Sequence, residues 1–480
     1  MNTRPLPALL CAALVAAGCA SPAGLTTHAT PTDPAQLQAQ RSLAAARLAP
    51  AAWPGADWWK GLGDPQLDAL VDEALADSPS IRLAQARVER ARSLAVAAGA
   101  PRTPQVDASL DTTRQRISEH YIFPPPLAGS WQWQNEAALN FSYEFDFWGR
   151  NEALYAAALG EARAAEADAW AARLVLSSAI ARAYVQLARD FDQLDLAHET
   201  LAERENVLEL VRHRVDAGMD SRLELKQAEA EVPAARERIA QIEESIALGR
   251  NQLAALAGKG PDRGLAIERP RIVATVEALL PSALPADLIG RRPDVIASRW
   301  RVEAAARGTD AARAQFYPNI DLAAFVGLQS LNWSKFLDAG SMIAGIGPAV
   351  NLPIFDGGLR RGNLGARNAD YDAAVDQYNQ TLADALREIA DQLAAFRSVE
   401  RQRPQVHEGL AAAREAYELA LARYQAGLAN YLSVLSAESQ VIAQRSLVAD
   451  LRAHELDASI RLAHALGGGY AQQNEGDHHG

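Results

Sequence analysis

Apolar side chains recur along this chain with two periods, and the alternation between them sets out the architecture. Over residues 66–100, and again over about 280–314, they return every three or four positions, the spacing of an amphipathic helix. Pro101 and Pro104 close the first of these, because proline lacks the N–H that a helix interior needs. The period then drops to two. Gln105–Arg116 and Asn135–Phe147 alternate as strands do. In the second of these, Leu139, Phe141, Tyr143, Phe145 and Phe147 take one face, while Asn140, Ser142, Glu144 and Asp146 take the other. A stretch bearing proline and tryptophan, 118–134, is expected as the loop between them. After Gly149-Arg150 an alanine-rich run without proline predicts one helix to Asp216. Gly218 breaks it, and a further helix is expected to Ala257, before Gly258 and Gly260. The order then returns: strands over 319–329 and 342–354, Gly357-Gly358, a long helix to Gln425, Gly427, and a helix to Leu466.

The second passage repeats residues as well as rhythm. Ser78-Pro79-Ser80-Ile81 aligns with Arg292-Pro293-Asp294-Val295, and without a gap Arg87-Val88-Glu89 then falls on Arg301-Val302-Glu303. Pro104 and Asp107 fall on Pro318 and Asp321. At a second fixed offset Arg214, Ala217, Gly218, Leu223, Ala228 and Glu229 fall on Arg423, Ala426, Gly427, Leu432, Ala437 and Glu438. The chain therefore reads as two copies of one unit, 51–270 and 271–467, with a glycine-ended tail, 468–480, expected to be disordered.

Length and alternation carry the argument further. A helix of about 67 residues is roughly 100 Å long, and two shorter ones of about 35 and 39 residues, stacked end to end, match it. That builds a coiled-coil wall with Gly218 and Gly427 at the turns of its far end. Strands of about 10–13 residues with one aromatic and apolar face have the length and pattern of transmembrane barrel strands. Four strands cannot enclose a lumen, and an open edge in lipid strands its backbone donors and acceptors, so the chain is expected to oligomerise. A soluble four-stranded sheet packed on helices is the alternative, but it gives the Leu139–Phe147 face no reason for so many aromatics. The fold class expected is mainly α with a membrane β-barrel. It is a tandem-repeat helical tunnel with four strands per chain, closed as a trimer into twelve strands.

The N-terminus adds an address. Met1 to Arg4 is cationic, and Leu6 to Ala17 is apolar but too short to span a bilayer. Ala16-Ala17-Gly18-Cys19 then resembles a bacterial lipoprotein signal. On that reading 1–18 is cleaved, Cys19 carries a diacylglycerol and an acyl chain, and 19–50 is a lipid-anchored tether. Cys11 lies in the cleaved part, so Cys19 is the one cysteine left and no intrachain disulfide is expected. Ala20, in place of an aspartate that commonly retains lipoproteins at the inner membrane, points to the outer one. No later stretch reaches 18 apolar residues, so no membrane-spanning helix is expected.

Composition mainly excludes. A net charge of −12 argues against nucleic acid, which favours basic faces. The nine histidines show no metal spacing, and Ala257-Gly258-Lys259-Gly260 lacks the Ser or Thr of a phosphate loop. Neither enzyme activity, nor a metal, nor a cofactor beyond the lipid is expected.

Several motifs in this order resemble the TolC-type outer-membrane factor family. They are Trp58-Trp59-Lys60-Gly61-Leu62-Gly63-Asp64-Pro65, Arg291-Arg292-Pro293-Asp294, Ala314-Gln315-Phe316-Tyr317-Pro318, Phe355-Asp356-Gly357-Gly358 and Arg423-Tyr424-Gln425-Ala426-Gly427. With the acylated Cys19, the resemblance is to the NodT/OprM lipoprotein branch. It implies a homotrimer in the Gram-negative outer membrane, anchored by lipid, with a helical tunnel in the periplasm. It also implies a periplasmic adaptor and an inner-membrane pump, often of the resistance-nodulation-division class, as partners. A duct for an ABC-type protein secretion system is the alternative. At the tip, the resemblance makes Leu432 a hydrophobic plug. It sets Ser436 where relatives commonly have the aspartate of an acidic ring, which leaves Glu438 as the nearest carboxylate. Tyr424 matches a tyrosine that bonds the neighbouring hairpin, with Glu224 at the place of its acidic partner.

Overall fold

Prolines set the first two helices. In the computed structural model, which describes residues 21–33, 36–37, 53–120, 122–273 and 290–470, α1 spans Pro65–Asp77. Asp64 caps it by accepting from the Gln66 backbone at 3.0 Å, and Pro65 sits in the first turn, where its missing N–H is not needed. Ser78 then leaves helical geometry (φ −63°, ψ 136°), because the ring of Pro79 disfavours helical backbone in the residue before it. The single helix expected over 66–100 is thus two, α1 and α2 (Pro79–Gly99). Its counterpart begins, among the described residues, at Pro293; 274–289 lie outside them.

The strands are β1 (Gln105–Arg116), β2 (Trp131–Glu144), β3 (Asn319–Ser330) and β4 (Met342–Asn351), in one antiparallel sheet of order β1-β2-β3-β4. β2 starts earlier than expected, since Trp131 to Gln134 pair with Arg116 to Thr113. It also stops earlier. Glu144 faces Asp321, after which Phe147 N–H turns back onto the Phe145 carbonyl and leaves the ladder. β4 likewise ends at Asn351 rather than at 354.

Register assigns the two faces of the sheet. Val106 opposes Phe141, which opposes Ala324, which opposes Ile346; Leu110–Ala137–Leu328–Met342 and Ala108–Leu139–Val326–Ala344 lie on the same side. The other side holds Asp107, Ser109, Asp111, Thr113, Glu136, Asn140 and Gln329, with Phe325 over Gly345 as an apolar exception. The apolar face is uncovered in the chain: Val106 is 67% exposed and Ile346 78%.

Long helices complete the molecule: α3 (Arg150–Asp216), α4 (Arg222–Leu256), α5 (Pro293–Ala314), α6 (Leu359–Gln425) and α7 (Tyr431–Ala465). α3 and α6 have 67 residues each and α4 and α7 have 35 each, so the two copies match helix for helix. Among the described residues no helix is long and apolar enough to cross a membrane.

The chain forms two compact units, and each draws on both sequence copies. One holds the sheet with Arg87–Ala165 and Ser298–Tyr378; the other holds α1, most of α3, α4, α7 and the later part of α6. In the second, Leu67, Leu70, Ile180, Tyr184, Leu187, Ile239 and Leu253 make the main core. Asp64 ties it together by accepting from the Tyr184 hydroxyl at 2.7 Å and from the Arg271 backbone. In the first, an extended segment from Ser21 lies along α6. Arg361 donates to the Ser21 and Ala23 carbonyls, the backbones of His28 and Ala29 donate to Asp372, and Leu25 packs on Phe316 and Leu364. Cys19 and the tail beyond Tyr470 lie outside the described residues.

Candidate functional site

The two helix turns predicted at Gly218 and Gly427 are built alike. At the first, Gly218 N–H donates to Val215 O (2.9 Å) and Met219 N–H to Arg214 O (2.8 Å). At the second, Gly427 donates to Tyr424 O (2.9 Å) and Leu428 to Arg423 O (2.8 Å). Each closes a helix C-terminus through a glycine at positive φ, 71° and 76°, where a side chain would strain the backbone. The helices that follow are capped in corresponding ways. Ser221 accepts from Leu223 N–H, and Asn430 accepts from Ser433 N–H.

Between the turns lies a buried ionic cluster. Arg214 Nε donates to Asp220 Oδ2 at 2.9 Å and Nη2 to Oδ1 at 3.3 Å, with both side chains under a tenth exposed. Its guanidinium lies 4.4 Å from the centre of the Tyr424 ring, and Nη1 reaches the Gln425 carbonyl at 3.4 Å. The Tyr424 hydroxyl donates to Asp220 Oδ2. One carboxylate on the first hairpin thus holds the end of α3 and the end of α6. Burial alone raises a carboxyl pKa, yet the bonds from Arg214 and Tyr424 outweigh it and hold Asp220 below its ordinary range. Burial, reinforced by that carboxylate, pushes the Tyr424 phenol well above its usual range.

Two expected residues stand elsewhere. Within the chain Glu224 does not meet Tyr424. Its carboxylate accepts from the Ser221 backbone at 2.9 Å and completes a capping box at the start of α4. Local capping satisfies Glu224, while Asp220, in the turn one helical turn earlier, reaches the tyrosine. Glu438 does not join an exposed carboxylate face either. It is buried beside Arg204, whose Nε lies 3.4 Å away and whose Nη1 pairs Glu231 at 3.0 Å. Burial raises its pKa, and Arg204 opposes that shift. The signal for this was in the sequence: Tyr431, Val434, Glu438 and Val441 recur at three- and four-residue steps, and all four are buried. Leu432 and Ser436, four residues apart, share the opposite, exposed face of α7. Arg214 and Asp220 are only six residues apart, but what sets their pair at the site is Tyr424, distant in sequence, as Glu438 is for Arg204; all three therefore went unread.

A protein-family model described as outer membrane efflux protein matches the chain twice, over residues 70–259 and 284–468. The chain belongs to the outer membrane efflux protein family. It is 44% identical to the fusaric acid resistance protein FusA of Burkholderia cepacia, over 75% of this chain and 69% of that one. It is 32% identical to the multidrug resistance outer membrane protein MdtP of Escherichia coli, over 88% of each. The crystal structure of the outer membrane protein VceC from Vibrio cholerae resembles it with a TM-score of 0.83 and 39% identity, covering 87% of this chain and 100% of that one. This efflux protein is accordingly a TolC/OprM-type component of the Gram-negative outer membrane, with its helical part in the periplasm.

Proposed function

We propose that three copies of this efflux protein close a twelve-stranded barrel and a helical tunnel. This forms the duct through which small molecules leave a tripartite pump. One observation carries the reading: the sheet has an exposed apolar face and two edges, β1 and β4, that no strand among the described residues pairs. Lipid tolerates the face but not the edges, whose free N–H and C=O groups would each cost several kcal/mol there. Pairing β1 of one copy with β4 of the next removes them. Two copies give about eight strands, whose interior side chains fill, whereas twelve leave a lumen. Asp107, Asp111, Glu136 and Asn140 would line it.

The exposed face of Leu432 and Ser436 would meet its symmetry mates at the tunnel end. There an apolar ring disfavours water, and the Asp220–Arg214–Tyr424 cluster keeps the hairpins together. Met219, Leu223 and Leu428, all exposed at the turns, give that end an apolar surface suited to a periplasmic adaptor. An inner-membrane pump of the resistance-nodulation-division class would select the cargo and supply the energy. The drug- and toxin-resistance names of FusA and MdtP favour small molecules over secreted proteins. Cys19 would carry the diacylglycerol and acyl chain: Ser21, two residues on, is held by Arg361 at the end of α6 nearest β4, the membrane level on this reading. Mass measurement of the full chain in mild detergent tests the assembly. Three chains are expected, and a stable monomer or dimer overturns the barrel.

A further inference from the structure

The apolar face of the sheet ends, at one rim, in an arginine set against two tryptophans. Arg114 pairs in register with Trp133, and Arg116 with Trp131, all four on the apolar side. The Arg114 guanidinium carbon lies 6.0 Å from the centre of each indole. Trp131 is 62% exposed and Trp133 39%. Arg116 is neutralised by Glu119 at 2.6 Å and also donates to the Gly129 carbonyl. Arg114 has no carboxylate partner among the described residues. Beneath it Thr112 donates to the buried Asn135 at 2.6 Å, and below that polar rung the side is apolar: Leu110, Ala108 and Val106, opposite Ala137, Leu139 and Phe141.

Among the described residues this rim carries no α-helix, only two short 3-10 helices, Trp333–Lys335 and Ala339–Ser341, between β3 and β4. α2 and α3 join the sheet at Gln105 and Glu144, at the other ends of β1 and β2, while residues 117–130 connect β1 to β2 here. With the helical part in the periplasm, the rim lies in the outer leaflet. We infer that Arg114, with Trp131 and Trp133, binds a phosphorylated, multiply acylated glycolipid of that leaflet. This rests on the lipid-facing reading of the sheet. A single such molecule matches every part of the surface. Its acyl chains lie on the Leu110–Leu139–Val106 band, its phosphate takes the fork of the guanidinium, and the indoles occupy the interface between them. The two indoles flank the guanidinium, each ring centre 6.0 Å from its carbon, and a lysine, being a point charge without the planar fork, should serve less well.

The test uses purified full-length protein, stripped of lipid in mild detergent and titrated with bisphosphorylated lipid A, its dephosphorylated form or phosphatidylethanolamine. Native mass spectrometry reads both bound lipid and oligomer mass. The phosphorylated glycolipid should bind about tenfold more tightly than the dephosphorylated one, and Arg114→Gln should abolish most of that preference. Arg114→Lys should restore part of it, and oligomer mass should not change in either variant. Equal binding by Arg114→Gln and the unmodified chain, or equal binding of the two glycolipids, overturns the proposal. An environment-sensitive fluorophore on Leu139→Cys in bilayers separates the two readings. A lipid-like signal with unaffected Arg114→Gln sinks only the glycolipid site, and a water-like signal sinks the lipid-facing sheet along with it.

Discussion

Replacing Asp220 by alanine takes one carboxylate away from two partners at once. Arg214 loses both its bonds to that carboxylate and remains a guanidinium with a side chain 7% exposed, left, among the described residues, with the Gln425 carbonyl and the Tyr424 ring. Breaking a buried pair from one side costs about 3–5 kcal/mol. The tyrosine hydroxyl loses its acceptor too, but it belongs to the same cluster, so its loss does not simply add. At about 1.4 kcal/mol per tenfold, separation of the two hairpin ends should become roughly a hundred to several thousand times more frequent. Glu224→Ala is the comparison. It removes an exposed capping-box contact at the start of α4 and leaves Arg214 and Tyr424 with their carboxylate. Conductance of the purified protein in planar bilayers, with amide exchange over 210–225 and 420–432, reads the difference. Asp220→Ala should raise both, and Glu224→Ala should leave conductance unchanged. Equal conductance in Asp220→Ala and the unmodified protein would refute the lock, and a larger effect from Glu224→Ala would return the pairing to Glu224.

The same cluster fixes a pH dependence. Because Asp220 is held below its ordinary value of 3.8, its contribution is complete above that pH and is lost as pH falls through the depressed value. Leak conductance should therefore rise below about pH 4 in the unmodified protein, and Asp220→Ala should lack that step. Leu432→Ala should raise conductance at neutral pH while Ser436→Ala changes it little; the opposite order would show a polar ring at the constriction. Arg in place of Phe141 should cost about 2–4 kcal/mol and impair insertion, while Arg at Ser142, on the polar side, is tolerated. Outer-membrane yields that fail to separate the two would contradict the assigned faces. Labelled palmitate should enter the unmodified chain and not Cys19→Ser, and labelling of both would remove the lipid anchor.

What the sequence alone determined here is local in origin. Gly218 and Gly427 mark turns because only glycine takes positive φ without strain, and each turn closes within six residues. Strands β1 and β3 and the ends of α3 and α6 fall where period and punctuation put them, since 3.6 and 2 are properties of backbone geometry. Even the features misread left local traces. Pro79 splits α1 from α2, the alternation of Trp131 to Gln134 belongs to β2, and the step from Tyr431 to Val434 to Glu438 marks a buried face. Tertiary structure decided the pairings that join distant segments. β2 lies beside β3 although more than a hundred residues separate them, and no periodicity encodes which strand becomes the neighbour. Asp220 and Glu224 differ by one helical turn and carry the same charge. Only the position of the end of α6 against the end of α3 decides which of them meets Tyr424. Arg204 and Arg214 likewise look like surface cations until packing removes them from water, and burial then makes their carboxylate partners matter.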